Sequence, residues 1–290
     1  MNTATPAPHT DLTKLLKIET PIIVCDIGAS PIDPTFHIDN LINNTNAILY
    51  GFEPNKTEFE KLKITDKKKY FNYALGDGGK KKLNICQGPG MTSFLQPNIN
   101  YLKLFDWFEW GSTITKTEEL ETKKLDDINF DHPINFFKID VQGLESEIIE
   151  NGLEKIKNSL VIEIETSPVP IYLEEKPFSH ICSQLEKLDF SLHMFNKINT
   201  RCFKPTRLNN DIYSGLNHIL QLDCVFIKNL PKLDSLETEE LKKLALILFF
   251  SYESYDLVDF LIEKISKKQK DDLITKYRNM MSALTIRKRY

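Results

Sequence analysis

The sequence predicts an α/β protein: a doubly wound, mostly parallel sheet of Rossmann-like type, followed by a small C-terminal helical annex. Three observations carry this prediction. Short apolar runs recur along the first 230 residues, with amphipathic stretches between them. The first run, 22–25, is continuously apolar and ends in Asp26-Ile27-Gly28-Ala29-Ser30. That is the pattern of a strand buried on both faces that opens into a ligand-admitting turn. After Pro231 the pattern is helical throughout.

With 290 residues the chain accommodates one large domain and an appendage. The expected division is a flexible leader over 1–20, the main domain over 21–230 and the annex over 231–290. The opening residues, Met-Asn-Thr-Ala-Thr-Pro-Ala-Pro, lack the apolar core of a signal peptide. No window reaches the ~18 apolar residues of a membrane span. A net charge of -4 gives no reason to expect a nucleic acid as partner. The five cysteines are scattered and form no CxxC pair, which fits reduced thiols in a cytoplasmic protein.

The strand candidates are 22–27, 47–53, 70–75, 134–140, 160–165, 190–195 and 222–228. Helical candidates lie at 56–63, 144–157 and 178–188, and 82–86 pairs locally. The segment 86–128 breaks the alternation. Its stretch 98–110 is dense in aromatics at roughly helical spacing, as expected of a lid or an acceptor wall. The annex reads as helices over 236–250, 255–265 and 271–281.

Four stretches carry chemistry. In the first turn, Gly28 permits a sharp bend and close approach to the backbone, with Ala29 and Ser30 small beside it. A dinucleotide-binding turn needs three glycines to seat a pyrophosphate, and only Gly28 is present. The pattern therefore disfavours a nicotinamide cofactor. S-adenosylmethionine, which has no pyrophosphate, does not need that room. Glu53-Pro54 ends the second strand, where an acid can accept from both ribose hydroxyls. Ala74, Leu75 and Asp77 close the third strand, on the side expected for an adenine ring. The densest stretch is Lys138-Ile139-Asp140-Val141-Gln142-Gly143-Leu144-Glu145. Asp140 is the candidate catalytic residue, and Lys138 either alternates outward or pairs with an acid.

These stretches, with Met91-Thr92-Ser93-Phe94 and Lys124-Leu125-Asp126-Asp127-Ile128, resemble the FkbM-type methyltransferases in the expected order. The resemblance runs from about residue 22 to residue 227. It implies a class I methyltransferase fold, S-adenosylmethionine as methyl donor, and an oxygen of a sugar or natural-product scaffold as acceptor. By motif position, Asp26, Gly28, Glu53, Asp77 and Asp140 carry over as the cofactor pocket. Three departures stand out: Ser30 where the family usually has Asn, Gln142 where it usually has Glu, and the helical annex after Pro231, which is not part of the core pattern.

On the acceptor side the candidates are Thr92, Ser93, Glu145, Glu165 and His218. Asp140, His193 and His218 are the candidate general bases. No metal site is expected, although Asp140, Glu145 and Glu165 could supply oxygens to a divalent ion. The partner implied is a small-molecule or glycan acceptor, and the sequence leaves the oligomeric state open. The alternative function is a non-catalytic scaffold that docks a protein through annex residues such as Leu244, Leu248, Phe249 and Leu257.

Overall fold

The computed structural model describes residues 8–32 and 35–282. Helix α1 covers Pro8–Leu16. Strand β1, Ile23–Ile27, leads through helix α2, Phe36–Asn44, to β2, Ile48–Phe52. The short α3, Lys56–Phe59, precedes β3, Lys68–Phe71, and the two-residue β4, Ala74–Leu75. Strands β5, Lys80–Cys86, and β6, Ile114–Lys123, flank α4, Ile99–Leu102, and α5, Phe108–Gly111. Strand β7, Phe136–Ile139, is followed by α6, Glu145–Glu150, and α7, Leu153–Ile156. Then come β8, Val161–Thr166, α8, Phe178–Lys187, β9, Phe190–Arg201, and β10, His218–Lys228. The last described helices are α9, Thr238–Tyr252, α10, Tyr255–Gln269, and α11, Leu273–Met281.

The main sheet has the order β3-β2-β1-β7-β8-β10-β9. Pairs β2–β3, β1–β7 and β7–β8 are parallel, and β10 runs antiparallel to both β8 and β9. Strand order reverses between β1 and β7, and open sheets place ligands outside the strand ends at such a reversal. Every residue of β1 and of β7 is buried, the signature of strands covered on both faces. This is the class I methyltransferase-like architecture that the sequence predicts.

The segment 86–128 is more ordered than its sequence suggests. Strand β6 joins β4 and β5 in a second sheet, order β4-β6-β5. The sequence of β6, Ile-Thr-Lys-Thr-Glu-Glu-Leu-Glu-Thr-Lys, shows no apolar alternation because most of the strand is exposed. The aromatic stretch is not one helix. It forms α4 and α5, broken where Trp107 takes φ +71. The Trp107 ring lies against Gly88 and Gly111, where an added Cβ would come within 2.6 and 2.7 Å of it. The helix expected over 144–157 is also divided, at Gly152, where a Cβ would come 2.4 Å from Leu125.

The chain separates into two compact units, one of 24–34 and 49–229, the other of 1–23, 35–48 and 230–290. The second unit corrects two expectations. The leader expected over 1–20 contains α1, whose Leu12 and Leu16 are fully buried, and residues 1–7 lie outside the described residues. The backbone beyond α1 is tied to α9: Glu19 and Thr20 N–H groups donate to Glu239 Oε1 at 2.7 and 3.1 Å. Lys243 Nζ donates to Thr20 Oγ1 at 2.8 Å. The annex is therefore not the tail alone, since α1 and α2 pack with α9. Asn40 Nδ2 on α2 donates to the Phe250 carbonyl of α9 at 2.7 Å.

Leu16→Ala tests this directly. A leucine buried in a packed helix is expected to cost about 2–5 kcal/mol in chemical denaturation, whereas one on a frayed leader would cost almost nothing.

Candidate active site

Three strand ends meet at one rim. Gly28 and Ala29 N–H groups both donate to the Phe52 carbonyl at the end of β2, at 2.9 and 3.0 Å. The Asp140 N–H donates to the Ile27 carbonyl at the end of β1, at 2.9 Å. Gly28 takes φ +87, and a Cβ there would sit 1.8 Å from the Asp140 carbonyl oxygen. Only glycine fits that turn. A Cβ at Gly51 would likewise lie 2.4 Å from the Tyr70 ring and 3.0 Å from Ala29 Cβ.

A row of charges crosses the sheet beneath this rim. In register, Asp26 on β1 faces Lys138 on β7, and Lys138 faces Glu163 on β8. Lys138 is buried, and its Nζ donates to Asp140 Oδ2 at 3.1 Å. Burial works to lower the Lys138 ammonium, but Asp140, Asp26 and Glu163 outweigh it and hold the group well above its ordinary value. The sequence left two orientations open for Lys138, and the structure takes the inward, paired one.

Asp140 and Glu165 are bridged by Gln142. Its Nε2 donates to Asp140 Oδ1 at 2.8 Å and to Glu165 Oε2 at 2.5 Å. Its Oε1 accepts from the Tyr172 hydroxyl at 3.0 Å. Burial works to raise Asp140, yet Lys138 and the hydrogen bonds from Gln142 and Glu165 hold it below the usual carboxylate range. Glu165 goes the other way, raised by burial and then by the charges of Asp140, Asp223 and Glu145.

Glu53 sits at the end of β2, 6% exposed, and accepts from the Asn55 N–H at 2.7 Å. Burial pushes it up to about 7 against that hydrogen bond, with Glu58, Asp26 and Asp140 adding to the rise. The mutual repulsion links Asp26, Glu53 and Asp140 as one electrostatic neighbourhood. Pro54 follows, its carbonyl accepting from Asn72 Nδ2 at 3.1 Å. Ser30 closes the first turn through an N–H bond of 2.7 Å to the Gly28 carbonyl.

Asp77 makes contacts within its own turn and with Thr122 and Lys81. Its Oδ1 accepts from the Gly79 N–H at 2.9 Å and from Thr122 Oγ1 at 3.3 Å, and Lys81 Nζ lies 3.1 Å from Oδ2. Its carboxylate is committed to the turn before β5. Ala74 and Leu75 are buried in β4, paired with Thr122 and Lys123 of β6.

The acceptor-side candidates divide. Glu145 turns back on its own loop, accepting from the Val141 and Gly143 N–H groups at 3.1 and 3.0 Å, and burial raises it to about 8. It braces the turn that carries Asp140. Ser93 donates to the Gln142 carbonyl at 2.6 Å, while Thr92 Oγ1 accepts from the Cys86 N–H at 3.3 Å. His218 pairs with the Tyr101 hydroxyl at 2.7 Å and stacks on Phe105. It opens β10, beyond the rim end of β8, and lines a pocket with Arg201, Phe203 and Leu216. His193 lies within β9. Among the described residues, no three His, Cys, Asp or Glu side chains are grouped to hold a metal ion.

The sequence reading passed over Asp223 and Tyr172. Asp223 on β10 pairs in register with Glu165, and burial with the Asp140 and Glu163 charges raises it to about 7. One acid inside the apolar run 220–227 was the available signal, because a buried strand rarely carries a carboxylate without a use for it.

These shifts set a pH dependence. Glu53 keeps a proton in the folded chain from 4.5 up to about 7, so the folded state binds more protons than the unfolded chain across that window. Its stabilising contribution is complete below the unfolded value and is lost as pH rises through the folded one. Urea unfolding should show a loss of stability between about pH 5 and pH 8, and Glu53→Gln should reduce it by at most roughly 3 kcal/mol.

Residues 26–192 match the family described as the Methyltransferase FkbM domain. Over 195 residues the chain is 26% identical to the 2-O-methyltransferase NoeI of Sinorhizobium fredii, covering 62% of this chain and 77% of that protein. Among solved structures, it resembles a methyltransferase FkbM from Methylobacillus flagellatus (10% identity, 71% of this chain and 43% of that one, TM-score 0.40). It also resembles the magnesium protoporphyrin IX methyltransferase of Synechocystis with bound S-adenosylmethionine (9% identity, 77% and 78% coverage, TM-score 0.37). With more than half of its length matched, the chain belongs to the FkbM-type family of S-adenosylmethionine-dependent methyltransferases.

Proposed function

We propose that this methyltransferase methylates a hydroxyl oxygen on a sugar, glycan or natural-product scaffold, with Asp140 at the reacting centre. The observation that carries the reading is the hydrogen-bonded set of Asp140, Gln142 and Glu165 beside the Gly28 turn. The 2-O-methyltransferase relative supports the acceptor class. A cytoplasmic setting belongs to the same reading, supported by five unpaired cysteines. No helix among the described residues is long and apolar enough to cross a membrane.

The residues present suit the donor. The acids around the Gly28 turn carry more negative charge than Lys138 balances. A sulfonium and an α-ammonium are the charges such a rim would attract. Asp26, Gly28, Ala29, Ser30, Glu53 and Pro54 would hold the donor, with Glu53 accepting from hydroxyl groups once ionised. Ala74, Leu75 and Asp77 shape the neighbouring turn in this reading. S-adenosylmethionine supplies an already activated methyl group. The chain's work is to align the acceptor, exclude water and remove a proton. Positioning of this kind contributes up to about 7–11 kcal/mol, and a well-placed base about 10²–10⁴-fold.

The scaffold alternative loses its anchor. Leu244, Leu248 and Phe249 are buried, so they line no exposed groove, and Leu257 is half-buried.

Asp140→Asn should lower methyl transfer about 10²–10⁴-fold and leave S-adenosylhomocysteine binding within a few-fold. Incorporation of labelled methyl groups into cell-extract acceptors, alongside calorimetry with S-adenosylhomocysteine, separates the two effects. Equal loss of binding and transfer would move Asp140 from the reaction to the donor pocket.

A further inference from the structure

The carboxyls of Asp140 and Glu165 come from different strand ends, yet a single amide holds both. Its partners favour one orientation of that amide: Oε1 accepts from the Tyr172 hydroxyl while Nε2 faces the two carboxyls. The backbone carbonyl of Gln142 separately accepts from Ser93. Flipped, the amide would present an oxygen to two acids and lose both donor bonds. One nitrogen, Gln142 Nε2, bonds Asp140 Oδ1 at 2.8 Å and Glu165 Oε2 at 2.5 Å, which brings the two carboxyls close together.

Two carboxylates so close in a covered site do not both ionise. The groups around them favour one distribution. Lys138 from β7 bonds Asp140, whereas Glu165 meets Asp223 from β10 and Glu145 from α6. Asp26 from β1 and Glu163 from β8 bear on Lys138. These neighbours hold Asp140 below the usual carboxylate range and Glu165 above it.

We propose that Asp140 and Glu165 act as one proton-sharing pair, with Asp140 as the ionised base, Glu165 donating its proton to Asp140, and Gln142 as the positioning residue that clamps both. This rests on the methyl-transfer reading and assigns the proton's path within it. The acceptor O–H bond breaks, its electron pair stays on oxygen for the new C–O bond, and its proton goes to Asp140. The pair then holds two protons and returns one to solvent. Each Asp140 oxygen keeps a second lone pair beyond its bond to Gln142 or Lys138, so one site remains free to accept. A third carboxylate at position 142 would set three like charges together. The amide in its place supplies two donors instead, which accounts for Gln142 where the family usually has Glu.

The test uses the full-length protein. At neutral pH, the infrared difference between wild type and Glu165→Gln should contain the carbonyl band of a protonated carboxyl, shifted in heavy water. The acid limb of the transfer rate should rise by about one pH unit, tenfold in proton concentration, in Gln142→Leu. It should stay in place in Glu165→Gln, whose amide still donates to Asp140. S-adenosylhomocysteine binding by each variant establishes that it is folded. A difference spectrum with only ionised-carboxylate bands, or an unmoved acid limb in Gln142→Leu, overturns the pair. The infrared readout needs no acceptor: an acid band without methyl transfer to any acceptor overturns the base role alone and leaves the shared proton standing.

Discussion

A single buried ammonium organises the rim. Removing a lysine and its counter-ions from water costs several kcal/mol per ion, and mutual attraction offsets this only when geometry and hydrogen bonds are good. Lys138 meets that condition by drawing partners from three strands: Asp26 and Glu163 in register on either side, and Asp140 two residues along its own strand. These three acids have reason to converge because the cation is there. Losing one leaves charge exposed to the interior, and the strand ends that carry the Gly28 turn and Asp140 are the ones it anchors.

The same cluster explains the site's appetite. One cation faces several carboxyls, so the surplus negative charge is relieved in part by protons, held on Glu53, Glu165 and Asp223 at values above the ordinary range. A cationic ligand offers another form of relief. Proton retention and affinity for a positive group are thus two consequences of one imbalance. The Gly28 turn packs directly on the Asp140 backbone, with which any side chain there would collide.

Much of this was legible in the sequence, and the reasons are local. Buried parallel strands such as β1 and β7 declare themselves as short, mostly apolar runs, and a turn glycine after an acid marks where the sheet opens. What stayed hidden depends on tertiary pairing. Strand β6 is written in exposed polar residues, so no periodicity betrays it. Helix α1 looked like a frayed end because the burial of Leu12 and Leu16 depends on tertiary packing, α1 lying against α2, α9 and α11. Asp77 bonds Gly79, Thr122 and Lys81, partners that its spacing in the sequence does not announce. Asp223 could not be tied to Asp140 without knowing that β10 reverses beside β8. Spacing identifies a strand end; it does not reveal which acids share a counter-ion.

The most direct measurement is a double-mutant cycle on stability with Lys138→Met and Asp140→Asn. If the ammonium binds the rim together, each single change is costly and the pair is coupled by about 1–3 kcal/mol, the double variant regaining part of what each single one loses. Additivity within about 0.5 kcal/mol would mean that Lys138 and Asp140 stabilise the fold independently, and the account of the rim would be wrong.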